Sequence, residues 1–126
     1  MSPDDLRQLF SGFGPVTVRR MFGGAGIFRD GLMFGLVSRG TVYLKADAQT
    51  FADFAREGCG PFAYATKHGE RTIASFRRLP DRLYDDAEEL SGWAAAAFAA
   101  AQRAGVRRVT RPSRPRRRSS RDRSRR

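Results

Sequence analysis

Cys59 and His68 are the only residues of their kinds in this 126-residue chain, so a thiol–imidazole nucleophile pair is the first chemistry to weigh. Cys59 lies in Gly58-Cys59-Gly60-Pro61 and His68 in a polar turn with Gly69, and no third residue is spaced to orient the imidazole. The pattern favours an incidental loop thiol, and a zinc site lacks ligands. Gly23-Gly24-Ala25-Gly26, just after Arg19 and Arg20, offers amides without side chains that an anion can approach. No Gly-Lys-Ser/Thr follows, no helix opens behind it and the GxGxxG spacing fails, so a tight strand connection or bulge is the expected use. Asp85-Asp86 and Glu88-Glu89 cluster carboxylates, but a helix start there explains them through capping and the helix dipole. No catalytic residue, cofactor-binding residue or metal ligand is therefore assigned, no cofactor is expected, and the chain is expected not to be an enzyme.

The remaining chemistry is charge. Residues 1–105 carry 13 Lys plus Arg against 12 Asp plus Glu, whereas residues 106–126 carry 11 Arg against Asp122 alone. Nearly all of the formal +11 thus sits in the last segment, and the basic pI says nothing about the body. The arginines are Arg107, Arg108, Arg111, Arg114, Arg116, Arg117, Arg118, Arg121, Arg123, Arg125 and Arg126, interrupted by Pro112 and Pro115. Guanidinium forks bind phosphate bidentately and an extended chain can follow a groove, so these residues are the candidate nucleic-acid contacts. Arg19, Arg20, Arg77 and Arg78 join them as auxiliary candidates if their strands are neighbours, a solvated sheet face being the plain alternative.

Positioning falls to the body. Ser2-Pro3-Asp4-Asp5 reads as a helix start, continued by Leu6, Leu9 and Phe10 and closed near Gly12 and Gly14. From Val16 the period becomes two, with breaks at Asp30-Gly31 and Arg39-Gly40, which predicts a four-strand meander over roughly 16–21, 26–29, 32–37 and 41–45. Leu32, Phe34 and Leu36 then share one face and Met33, Gly35 and Val37 the other. Asp47 reads as the N-cap of a helix of about ten residues that Gly58 closes. Two strands around His68-Gly69 follow, stopped by Leu79-Pro80. A last helix is predicted from about Asp86 to Arg103, with Leu90, Trp93, Ala94, Ala97, Phe98 and Ala101 on one stripe and Trp93 as a core anchor. After Gly105 apolar residues nearly vanish, and such a segment cannot offset its ordering entropy. The expected organisation is one domain over residues 1–105 and a disordered Arg-rich tail over residues 106–126.

The run from Met21 to Gly35, together with Tyr43-Leu44-Lys45-Ala46-Asp47, Gly60-Pro61-Phe62, Phe76-Arg77-Arg78-Leu79-Pro80 and Leu90-Ser91-Gly92-Trp93-Ala94, resembles the N-terminal domain of the TfoX/Sxy family over roughly Leu6 to Arg103. The resemblance implies an α+β fold of two layers, an antiparallel sheet with flanking helices, in agreement with the order helix, four strands, helix, two strands, helix. It also implies a regulatory role connected with natural competence, without catalysis. The family's founding members add a helical C-terminal domain, where this chain has the arginine tail. A corner such as Leu9 to Val16 occurs in RNA recognition motifs, but no strand precedes the first helix and no RNP1-like stretch follows.

The expected function is a non-enzymatic regulatory or interaction module that meets nucleic acid through its tail without sequence preference. The alternative is a protein-binding or dimerisation module with no nucleic-acid role. Expected partners are nucleic acid, a protein of the transcription machinery by family resemblance, and a second copy of the chain. The apolar run Trp93 to Ala101 is only nine residues and the start is acidic, so neither a membrane span nor an export signal is indicated and a cytoplasmic location is expected.

Overall fold

The computed structural model describes residues 1–21 and 23–110, with side chains followed to residue 105. Helix α1 (Pro3–Leu9) starts as its sequence dictates. The Ser2 hydroxyl oxygen accepts from the Asp5 amide and the Asp5 carboxylate from the Ser2 amide, both at 3.0 Å, a reciprocal capping box. Strands β1 (Thr17–Met21), β2 (Gly24–Arg29), β3 (Leu32–Ser38) and β4 (Thr41–Lys45) form the meander. Asp30-Gly31 and Arg39-Gly40 are both at positive φ, the backbone that suits a two-residue hairpin to the twist of its strands. After α2 (Phe51–Arg56) come β5 (Pro61–Thr66) and β6 (Gly69–Arg78), a 3₁₀ turn (Asp81–Asp85) and α3 (Ala87–Thr110). All six strands belong to one antiparallel sheet in the order β1-β2-β3-β4-β6-β5. The fold is thus α+β, an antiparallel sheet with flanking helices.

The core lies on one side of this sheet. Phe34, Ile27, Leu44 and Val42 are fully buried against Leu6 of α1, its C-cap Phe10, and Leu90, Ala94 and Ala97 of α3. The alanines let α3 approach β3 and β4 closely, and the Phe10 and Phe98 rings meet Phe34 edge-on at 5.6 and 6.3 Å. Alternation along β3 differs from the expected pattern. Gly35 pairs with Ile27 and Met33 with Phe28, so Phe34 is an extra residue, a bulge that sends both it and Gly35 to the core. Beyond it the phase is reversed: Val37, opposite Val42, is buried, and Leu36, opposite Tyr43, faces away.

Two further expectations change and one element is new. Helix α2 spans six residues, not ten, because Asp47 holds a turn instead of a cap. Its carboxylate accepts from the Gln49 amide and bidentately from Arg103 at 2.7 and 3.0 Å, and Thr50 is the N-cap. The C-terminal end is as read, with Gly58 at φ 71° and amides 58 and 59 bonded to the carbonyls of Ala55 and Phe54 in a Schellman arrangement. The 3₁₀ turn has no periodic signal; it brings the Tyr84 hydroxyl oxygen to accept from the Val42 amide at 2.9 Å. Finally, α3 continues past Arg103 to Thr110, so Arg107 and Arg108 lie on helical backbone and Gly105 does not stop it. A helical glycine costs only about 1 kcal/mol, which the flanking helix formers offset.

Trp93 is half-buried, not a core anchor: its ring stands edge-on to Phe54 at 5.0 Å and its Nε1 donates to Glu89 at 3.2 Å. Glu89 also receives Arg82 at 2.8 Å, and Arg82 binds Glu57 at 2.7 and 3.1 Å, so one guanidinium ties α2, the 3₁₀ turn and α3. The Arg82 and Trp93 hydrogen bonds hold the Glu89 carboxyl down at about 2, and Arg82 does the same to Glu57 in direction. Glu89 is exposed and Glu57 is half-buried at the surface, so each pair is individually modest.

Leu90→Ala, at a fully buried site, should cost about 2–5 kcal/mol. Trp93→Ala should cost less than Leu90→Ala, both read by urea unfolding. For Glu89, a depressed folded pKa means the stabilisation is complete above the ordinary value of 4.5 and is lost as pH falls towards 2. Glu89→Gln should therefore lower the thermal midpoint at pH 6 and converge with the parent near pH 2.

Candidate functional site

The body's cations are largely engaged. Arg7 pairs with Asp4, Arg56 with Asp53, Arg78 with Asp81, Arg82 with Glu57 and Glu89, and Arg103 with Asp47. Arg29 donates to the Phe13 carbonyl at 2.9 Å and lies 4.5 Å over that ring. The auxiliary arginines do not form a patch, because three strands (β2, β3 and β4) separate Arg19 and Arg20 on the edge strand β1 from Arg77 and Arg78 on β6. Arg19 lies over Phe28 at 5.3 Å, and Arg77 over Phe51 at 4.4 Å with its Nε on the Ala74 carbonyl. Arg111, Arg114, Arg116, Arg117, Arg118, Arg121, Arg123, Arg125 and Arg126 lie outside the described residues.

The glycine run serves the sheet. Gly23 turns at φ 78°, and Gly24, Ala25 and Gly26 belong to β2, their backbone in register with β1 and β3. A Cβ on Gly24 would stand 2.1 Å from the Val37 carbonyl oxygen, a close approach only glycine permits. Cys59 is buried, which raises its thiol pKa, and its sulfur contacts the Glu57 carbonyl. It lies just before β5, and His68 is exposed beyond the far end of that strand, so the two cannot act as a pair. Of the carboxylates, Asp86 caps α3 by accepting from the Glu89 amide at 3.1 Å, and Glu89 serves Arg82.

Sequence reasoning missed the other side of the sheet. Among the described residues no helix covers it, and Met21, Met33, Leu36, Phe62, Ile73 and Phe76 line a groove of about 410 Å³ there. Gly26 forms part of the floor: a Cβ on it would meet the Met21 and Met33 sulfurs and the Phe28 ring within 3.2 Å. Phe62 stacks on Tyr64 (5.7 Å, 22°) and abuts Tyr43 at 4.8 Å, and Tyr64 is 42% exposed. Strict alternation along β3 puts Leu36 on the face of Phe34, which hides the groove from a reading of the sequence alone. A second cleft of about 490 Å³ between α2 and α3 is lined by charged side chains together with Phe54 and Trp93 and is bridged by Arg82.

No described helix is long and apolar enough to cross a membrane. Residues 8–101 match the TfoX N-terminal domain, a regulatory domain that is not catalytic. A stretch of 63 residues is 35% identical to the DNA transformation protein TfoX1 of Aliivibrio fischeri, covering 50% of this chain and 30% of that protein. The match to that relative therefore spans less than a third of its length. With the family matched across most of the body, and with the α+β order of elements it implies in place, the chain belongs to the TfoX N-terminal domain family.

Proposed function

We propose that the protein is a regulatory module of DNA uptake, working in the cytoplasm, that associates with nucleic acid through the arginines of residues 106–126 while residues 1–105 form a separately organised TfoX-like domain. The family membership and the printed name of the Aliivibrio relative support the regulatory setting. One observation carries the division of labour: the body is nearly neutral and most of its arginines contact carboxylates, rings or carbonyls, whereas the last 21 residues hold a net +10. A polycation that binds phosphate releases condensed counterions; an arginine already hydrogen-bonded to Asp or Glu must first give up its partner. Contacts to phosphate carry no sequence information, so DNA and RNA of any sequence should compete.

The test is salt dependence. With about six phosphates engaged, a plot of log affinity against log salt should have a slope near −5, on the order of a thousandfold weakening between about 50 and 200 mM. A chain ending at Thr110, which keeps the whole of α3 and removes nine arginines, should lose most of this affinity and its slope. Equal binding by both chains at every salt concentration would assign recognition to the body.

A further inference from the structure

We propose that the open face of the sheet is a docking surface for an acidic, amphipathic α-helix of a partner protein. The face is apolar at its centre, where Met21, Met33, Leu36 and Ile73 line the groove, and methionines adapt to irregular apolar surfaces. Its rim is basic. Arg19 stands over Phe28 at one end of the sheet, and exposed Arg71 is in register with Tyr64 at the other. Glu70 is the only carboxylate in any of the six strands, and it pairs with Ala65, one step out of phase with the Tyr64–Arg71 pair. An apolar stripe flanked by arginines, on a sheet face to which the strands contribute no carboxylate in phase with it, complements a helix whose apolar stripe is flanked by Asp and Glu.

Two other occupants fit less well. A second copy laid face to face would oppose arginine to arginine with no carboxylate between them. A single-stranded nucleic acid needs flat, available ring faces, but Phe62 and Tyr64 stack on each other, Tyr43 is tilted 59° to Phe62, and the groove centre is sulfur and aliphatic carbon. Leu36 faces this side only because of the Phe34 bulge, which gives the groove its aliphatic centre.

The full chain provides the test, since the tail's attraction for any acidic peptide can be subtracted. Three fluorescent 18-residue peptides are titrated: a helix with leucines at i, i+3, i+4 and i+7 flanked by glutamates, a scramble of the same composition, and the first peptide with lysine for every glutamate. The amphipathic acidic peptide should bind at least tenfold more tightly than its scramble. Leu36→Glu should erase that difference, and Tyr64→Ala, at an exposed ring that leaves the core untouched, should reduce it, while binding of the scramble and of duplex DNA stays unchanged in both. Equal affinity for the scramble, a preference for the lysine peptide, a dimer in the parent that Leu36→Glu dissociates, or binding of an oligothymidylate that Tyr64→Ala abolishes would each overturn the assignment.

Discussion

The extra residue at position 34 governs what each side of this sheet becomes. Opposite Ile27 the chain inserts Phe34 and Gly35 where one residue would keep register, and the Phe34 ring then fills the space among Phe10, Phe13 and Phe98 with no exposure. A fully buried phenylalanine is worth roughly 1.5–3 kcal/mol in transfer alone, so the bulge is held by the core it completes. Gly35 is part of the same solution, because a Cβ there would stand 3.3 Å from the Ile27 side chain and 3.2 Å from the Tyr43 carbonyl. The reversal of phase that follows gives the helices Val37 and gives the open side Leu36. A bulge-free β3 would have produced a different core and a different groove.

Much of this was legible from residue types. The Ser2–Asp5 capping box, the two hairpin glycines, the Gly58 termination and the alanine stripe of α3 are local devices, each decided by a few neighbouring side chains, and each is found where its pattern stands. What the pattern could not supply was tertiary. The bulge depends on a three-sided aromatic pocket, and Asp47 is drawn from capping by Arg103, 56 residues away. The 3₁₀ turn has no repeating apolar signal, and its Tyr84 is defined by the distant Val42 amide. Trp93 has the right helical phase for the core but sits at the margin of the stripe, where Glu89 claims its N–H. Arg19, Arg20, Arg77 and Arg78 appeared as two pairs in sequence, and only the strand order shows that they are far apart.

On the proposed reading, the folded body and the basic segment divide two kinds of recognition. Within the body, electrostatics is local and structural: Arg82 unites three elements, Arg103 fixes α3 to the turn before α2, and Arg29 braces Phe13. What remains for partners on the sheet is shape and apolar area with a thin basic rim. Such a domain suits a regulator that is held to a polyanion by one segment and makes its specific contacts with another, the combination that linked binding modules exploit.

Titration of the isotope-labelled full chain with a short DNA duplex, followed amide by amide in heteronuclear NMR spectra, tests this division most directly. The account predicts that the amides of residues 111–126 respond and that those of β1 to β6 and the buried core do not. Shifts concentrated on Arg19 and Arg20, on β6 around Arg77 and Arg78, or across the open face of the sheet would contradict it and make the folded body the nucleic-acid reader.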